Sequence, residues 1–335
     1  MAVEIKTSGV KPLRNTFSHL AARFGDKPAT RYQEIAFDTQ PTTNFHYRPL
    51  WAPEQELYDT STTAIEMSDW YTLKDPRQYY YGSWTTTRAK QQDAIDQQLA
   101  FTEKRDLFSL WPEDARNLVI YALLPLRHYE WGGNTNNNFI AAYGYGTTIT
   151  QAATMGMCDR LGMAQFISRI GLCIDGKTGV SLEQARNIWL SDPAWQGLRR
   201  EVESLFVVKD WFELMVAQNL VADSIVYQLF FTAFDQHFGQ RYGNDLSPLI
   251  DYVLTWQKDF SRWVDAVIKT AAAESPENTQ LLNDWVTKWY SRLTEALKEL
   301  SQQLYGENAS ELSRKMTADF NGRLKKLGLD PMPLC

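Results

Sequence analysis

Apolar residues recur at three- and four-residue steps through most of the chain, and from about Thr86 onward one helix signal follows another. "RAKQQDAIDQQLAFTEKRDLFSL" reads as an amphipathic helix. In "WPEDARNLVIYALL", Pro112 stands at a first-turn position with Glu113 and Asp114 behind it, where the helix dipole favours acids. "NLVIYALLP" (117–125) is apolar almost all round, as a buried helix is, and runs on into "LRHYEWGGNTNNN" (126–138). Thr147–Ile174 reads as a long helix ended by "DGKTG", with "AAYGYGTT" as the tight connection before it. A second buried helix is predicted over Asp210–Phe238, stopped near "GQRYGND". Ser181 and Gln184 have capping-box spacing, and Asp192–Pro193 reads as a cap and first turn. Ser247 and Ser275, each followed by proline, open two more long helices. The last helix stops at Gly328 and Pro331.

Residues 1–85 break this pattern. "EIAFDTQPTTNFHYRPLWAPEQELYD" holds Pro41, Pro49 and Pro53 and no sustained 3.6-residue period, so it is extended or turning. Phe37, Phe45, Tyr47 and Trp51 make it too aromatic to lie in water without cost, and "DWYTLKDPRQYYYGSW" continues the theme. Such an arm must lie on something, either its own helical body or another subunit. Strand signals are sparse, so the fold class is all-α. It divides into an N-terminal arm (1–85) and a helical domain (86–335). Two long buried helices flanked by two more imply a four-helix core with extra helices packed around it.

A hydrophobic fraction of 44% rules out global disorder. The 12 Trp, 16 Tyr and 16 Phe exceed what one core commonly needs, which points part of the aromatic surface at a partner. A net charge of −6 argues against nucleic acid. The first residues lack the apolar core of a signal peptide, and "SIVYQLFFTAF" is too short to cross a bilayer, so no membrane role is expected. Cys158, Cys173 and Cys335, odd in number and unpatterned, suit a reducing cytoplasm better than disulfides.

The candidate chemistry lies in "LRHYEWGGNTNNN", which carries His128, Glu130 and several asparagines into a buried helix. A di-iron centre in a four-helix bundle needs a Glu from each of two helices and a Glu-x-x-His pair from each of the others. Three residues before His19, His46, His128 and His237 stand Thr16, Thr43, Pro125 and Phe234, so no such pair exists. A zinc site would need closer His or Cys spacing than Cys158, Cys173, His128 and His237 offer. Cys158 as a nucleophile is countered by its buried helical context. No dinucleotide, Walker-type or nucleophile-elbow motif occurs. Arg127, Glu130, Asn134 and Asn137 form a polar stripe at helical spacing. One reading is a satisfied buried network partnered by Asp159 and Arg160; the other is a functional acid, which would still lack a base and a cofactor motif.

"NLVIYALLPLRHYEWGGNTNNNFIAAYGYGT", "ATMGMCDRLGMAQFISRIGL" and "AQNLVADSIVYQLFFTAFDQHFG", with "FHYRPLWAP" in the arm, resemble the β subunit of bacterial multicomponent monooxygenase hydroxylases. The phenol hydroxylase branch is the nearest, with toluene and soluble methane monooxygenases as relations. The resemblance implies a ferritin-like long-helix bundle without its own di-iron site. Laid on the iron-binding α subunit, Glu130 matches the first glutamate. The first Glu-x-x-His pair falls on Arg160 and Met163, and the second on Phe260 and Trp263. The implied role is a non-catalytic β subunit of a phenol hydroxylase (phenol 2-monooxygenase) oxygenase component, with no catalytic, cofactor-binding or metal residue of its own. Implied partners are α and γ subunits in a dimer of αβγ units, a regulatory protein and a reductase. Implied cofactors are di-iron in α, and FAD and iron–sulfur in the reductase, with NADH as electron source. The arm, around residues 30–84, would extend over α. Two rivals are an independent helical metal-binding oxidoreductase and a stand-alone helical binding protein.

Overall fold

The computed structural model describes residues 17–25, 27–40 and 53–333. Pro41, Phe45, His46, Tyr47, Pro49, Trp51 and Cys335 lie outside the described residues. Among the described residues there is no strand, and the long-helix bundle is all-α, as read from the sequence. In chain order the helices are α1 (Ser18–Phe24), α2 (Arg31–Ala36), α3 (Tyr81–Lys104), α4 (Glu113–Ala122), α5 (Leu126–Tyr143) and α6 (Thr147–Ile174). They continue as α7 (Val180–Ser191), α8 (Pro193–Leu205), α9 (Trp211–Tyr242), α10 (Ser247–Glu274), α11 (Pro276–Tyr305) and α12 (Ala309–Leu327).

Several boundaries follow the expected chemistry. Asp192 caps α8 by accepting from the Ala194 amide, with Pro193 as the first helical residue. Ser275 accepts from the Asn278 amide at the start of α11, and left-handed Gly328 (φ 81°) ends α12. Others differ. The apolar run does not pass unbroken from 117 to 138: Pro125 has no amide to donate, so α4 ends at Ala122 and α5 begins at Leu126. Ser181 makes no capping box. Its hydroxyl donates to the Gly171 carbonyl at 2.9 Å, and Asp175 accepts from the Ser181 amide at 2.9 Å, folding the "DGKTG" turn back on α6. Helix α3 starts at Tyr81, inside the stretch read as arm, and buries only Ile95, Leu99 and Thr102.

Helices α5 and α6 are antiparallel neighbours along their length, and α9 and α10 complete the four-helix core. Helix α11 packs across α8 and α9. By length and composition α9 could span a bilayer, contrary to the sequence reading, but 89% of its most apolar stretch is buried inside the protein. Its backbone widens to π-helical hydrogen bonding over Val216–Ala222 and Gln228–Ala233, on either side of the α-helical turn Asp223–Tyr227. Such insertions re-aim side chains without breaking the helix.

The described part of the arm packs on its own bundle. Ile65, Trp70 and Leu73 enter the main core, where the Trp70 ring sits 5.9 Å from Trp211 and 5.5 Å from Tyr145. Asp210 caps α9 through the Phe212 and Glu213 amides and also accepts from the Ala64 amide at 2.7 Å. Backbone amides demand partners when buried, so this edge is sewn down: Glu66 donates to Asn278 at 3.1 Å and Gln151 donates to the Tyr79 carbonyl at 2.6 Å.

The crossing of α8 over α11 depends on Gly197, where a β-carbon would meet the Ala296 carbonyl oxygen at 2.1 Å. No rotamer relieves a backbone clash. Gly197→Ala is expected to lose about 1–3 kcal/mol in urea denaturation, although alanine in a free helix gains about 1 kcal/mol over glycine.

Candidate functional site

One side chain from each core helix meets at the centre of the bundle: Glu130 from α5, Arg160 from α6, Asp223 from α9 and the Phe260 ring from α10. Glu130 and Arg160 have no solvent exposure, and Asp223 has almost none. Arg160 Nη1 donates to Glu130 Oε2 at 3.2 Å, while Nη2 donates to Asp223 Oδ2 and, at 3.3 Å, to Asn219 Oδ1. The guanidinium lies over Trp256 and Phe260, 5.4 and 5.6 Å from their centroids. A second ring of donors completes the acids. Tyr227 donates to Glu130 Oε1 at 2.6 Å, and Tyr129 donates to Asp223 Oδ1 at 2.6 Å. Gln218 also donates to Asp223 Oδ1, at 3.1 Å, and Asn137 and Asn219 pair reciprocally at 3.1 and 3.0 Å.

Two glycines make the room. A β-carbon at Gly133 would sit 2.9 Å from Arg160 Nη1, and one at Gly156 would sit 2.6 Å from the Phe260 ring. "WGGN" and "TMGM" are therefore the backbone's allowance for a guanidinium and an aromatic ring where two helices cross.

The cluster holds two carboxylates against one guanidinium in a dry interior, where unpaired charge is costly. Burial, the largest influence, pushes the Glu130 carboxyl up to about 7, with Arg160 pulling it down and Asp223 pushing it up. Burial opposes the Arg160 charge, but Asp223 and Glu130 outweigh it and hold the guanidinium well above its ordinary value. Burial and the neighbouring carboxylates also raise the Tyr129 and Tyr227 phenols, which stay protonated and able to donate.

The sequence reading paired Glu130 with Arg160, and the structure brings them together. Of the predicted stripe it also brings Asn137, through Asn219, but neither Arg127 nor Asn134. Arg127 donates to the Leu182 carbonyl at 2.6 Å and Asn134 to the Met157 carbonyl at 2.9 Å, both away from the cluster. His128 turns to stack on Trp189 at 5.7 Å; burial, with Arg127 and Arg186 nearby, holds its imidazole down at about 4. Asp159 faces the opposite way from Arg160 and accepts from Trp84 at 2.9 Å and from Arg88 at 2.9 and 2.8 Å. Met163 is buried one turn beyond Arg160, and Trp263 packs edge-on to Phe260 at 5.4 Å. Asp223, Tyr227, Gln218, Asn219 and Tyr129 escaped notice. The available signal was polar residues four or five apart in an otherwise apolar helix, "QNLVADSIVY".

Asp159 belongs to a second ion cluster that fixes the arm. Asp75 accepts from Arg77 Nε at 2.9 Å, Arg77 lies 3.6 Å from Asp259, and Arg88 bridges Asp159 and Asp259 at 2.8 and 3.2 Å. Since Asp159 precedes Arg160 and Asp259 precedes Phe260, the clusters are back to back. Phe260 stands between them, its centroid 5.8 Å from Arg77 and 5.6 Å from Arg160.

The donor set does not suit a carboxylate–imidazole metal centre. The position between Glu130 and Asp223 is filled by a guanidinium, and its other neighbours are aromatic carbon, amides and phenols, with no imidazole among them. Among the described residues no group of three or more His, Cys, Asp or Glu is placed to hold an ion.

This geometry sits within a sequence whose residues 51–275 match the model of the methane/phenol/alkene hydroxylases. The chain belongs to that family. Within it, the chain is 46% identical over 98% of both lengths to the phenol 2-monooxygenase oxygenase component DmpL of Pseudomonas sp. (strain CF600). It is 24% identical to the β subunit of the toluene-4-monooxygenase hydroxylase component of Ectopseudomonas mendocina, over 83% of this chain and 86% of that one. Among solved structures it resembles a chain of xenon-pressurised phenol hydroxylase from Pseudomonas sp. OX1. There the TM-score is 0.90 at 42% identity, over 98% of this chain and 99% of that one.

Arg160→Met in this hydroxylase-family chain strands two acids, and a loss of about 3–5 kcal/mol is expected in denaturant titration. Neutralising them as well, with Glu130→Gln and Asp223→Asn, should recover most of it. A second outcome concerns pH. The Glu130 carboxyl titrates near 7 in the folded chain and near its ordinary 4.5 in the unfolded one, so folding takes up a proton between those values. Wild-type stability relative to Glu130→Gln is therefore greatest below pH 4.5 and declines as pH rises to about 7, which unfolding titrations across that window would measure.

Proposed function

We propose that this chain is the non-catalytic structural β subunit of a phenol hydroxylase (phenol 2-monooxygenase) oxygenase component. The observation that carries the reading is the Arg160 guanidinium, fixed between Glu130 and Asp223 where a four-helix bundle of this kind would carry its metal. The chain keeps the bundle and a remnant of its acids, with a fixed organic cation in the central volume. Its residues then do mechanical work: Glu130, Asp223 and their phenol and amide donors hold four long helices in register. The relatives' names, an oxygenase component and a β subunit of a hydroxylase component, support this assignment.

On this reading the chemistry belongs to a companion α subunit with a di-iron centre, in a dimer of αβγ units. The complex hydroxylates phenol and related aromatics to catechols with O2. NADH supplies electrons through a separate reductase carrying FAD and iron–sulfur, and a small regulatory protein attends. The complex is placed in the cytoplasm, which suits the free thiols of Cys158 and Cys173.

The deciding experiment compares the purified chain alone with the co-expressed complex. Alone it should contain no stoichiometric iron by metal analysis and show no phenol turnover with the reductase. Co-expressed with the larger subunit, it should co-purify and support turnover. Iron at one or more equivalents in the lone chain, or turnover by it, would remove the proposal.

A further inference from the structure

The cleft between α9, α10 and α12 runs against the charge of the molecule. Lys258 and Arg262 of α10 line it with Arg323 and Lys326 of α12, against two acids, Asp265 and Asp319. The chain as a whole carries a net charge of −6, and the cleft where residues 64–68 meet α10 and α11 is lined by Glu66, Glu274, Glu277 and Asp284. Both acids of the basic cleft are already engaged. Asp265 accepts from Arg323 Nε at 2.8 Å, and Asp319 accepts from Gln228 at 2.7 Å. Arg323 Nη1 donates to Ser224 at 2.7 Å. Its buried Nη2, 2.7 Å from the same Asp265 oxygen, has no acceptor in line for a hydrogen bond. Arg262 lies 3.8 Å from Asp259, a carboxylate that Arg77 and Arg88 also approach. Among the described residues no ion pair reaches Lys258 or Lys326, and both are exposed.

The depth of the cleft is apolar. Leu254 of α10 and the Phe320 ring of α12 line it, and Phe320 is fixed by parallel stacking on Tyr290, centroids 5.2 Å apart. Tyr227 lines it too, with its hydroxyl already donated to Glu130 at 2.6 Å, so it offers ring carbon rather than a donor. Phe320 and Tyr227 are almost fully buried, whereas Lys258, Arg262 and Lys326 are exposed. Carbon therefore forms the floor and positive charge the rim. The cleft measures about 650 Å³, within the roughly 300–1,000 Å³ typical of small-molecule sites, which likewise combine an apolar lining with a few convergent polar groups.

We propose that this cleft binds a small organic carboxylate with an apolar body, for which benzoate is the simplest probe. The carboxylate meets Lys258 and Lys326 at the rim, where it answers a local excess of positive charge with charge-assisted hydrogen bonds. The apolar body covers Leu254 and Phe320 and removes their carbon from water. A neutral ligand of the same shape leaves the two ammonium groups without a counter-ion, and a bare inorganic anion leaves the floor wet. Only a molecule that is charged at one end and apolar at the other uses both halves of the lining. The site lies on the far side of Tyr227 from Glu130 and does not depend on the reading of the chain as a β subunit.

The test is calorimetric titration of the full-length chain with benzoate, and in parallel with acetate, benzamide and inorganic phosphate. Benzoate should bind saturably at one site per chain, in about the millimolar range, and more weakly as salt is raised. Acetate and benzamide, each lacking one half of the match, should bind about tenfold more weakly or not at all. Lys258→Gln combined with Lys326→Gln removes two exposed charges, so the variant should fold, as circular dichroism and melting would verify. It is expected to weaken benzoate binding by about tenfold, while Lys90→Gln with Lys104→Gln, the same charge change on α3, leaves it unaltered. No saturable benzoate binding, or binding that the cleft variant does not weaken, would overturn the site. Benzamide binding as tightly as benzoate, or phosphate binding more tightly, would overturn the ligand class.

Discussion

A guanidinium held between two carboxylates, in a volume sealed from water, is the constraint around which the bundle is arranged. Arg160 is reached by Glu130 from one helix and Asp223 from another, and it is roofed by two aromatic rings from a third. None of these charges tolerates burial alone, so each helix must arrive in the register that completes the others. Hydrophobic packing alone would accept small slides of one helix along its neighbour. The ion cluster penalises them, because a displacement of one turn would leave an acid or the guanidinium without its partner. Close-packed small residues do the rest, with Gly133 and Gly156 admitting the two groups that meet at the centre.

Most of the architecture was legible in the sequence because helix signals are local. Caps at Asp192 and Ser275, the stop at Gly328 and the long apolar periodicity all depend on residues a few positions apart. Pro125 showed how local chemistry also overrides composition, since a missing amide ended a run whose hydrophobicity would have continued. The centre was only half legible. Glu130 and Arg160 stand out as charges in apolar helices. Their third partner lies in a helix whose π-helical segments alter the angular step, so no fixed 3.6-residue wheel would have placed Asn219, Asp223 and Tyr227 on one face. Asp159 misled for the simplest geometric reason: residues adjacent in a helix point about 100° apart, and next to Arg160 means facing elsewhere.

The aromatic arm shows what composition leaves open. Its richness in tyrosine and tryptophan calls for cover, and Ile65, Trp70 and Leu73 find it in the chain's own core. These contacts are fixed by hydrogen bonds that no periodicity announces, such as Asp210 serving both as the cap of α9 and as acceptor for the Ala64 amide. The bundle's central position is occupied by the Arg160 guanidinium, in a fold shared with its relatives.

The clasp that closes the arm has a temporal side. Tyr79 meets Asp259 across 180 residues of chain, so at the roughly 5–20 residues per second of ribosomal synthesis the arm waits on the order of ten to forty seconds for its acceptor. Throughout that interval Trp70, Tyr71, Tyr79 and Tyr80 have no completed bundle to rest on. The nascent polypeptide is thus most open to association through these aromatic residues before α10 emerges.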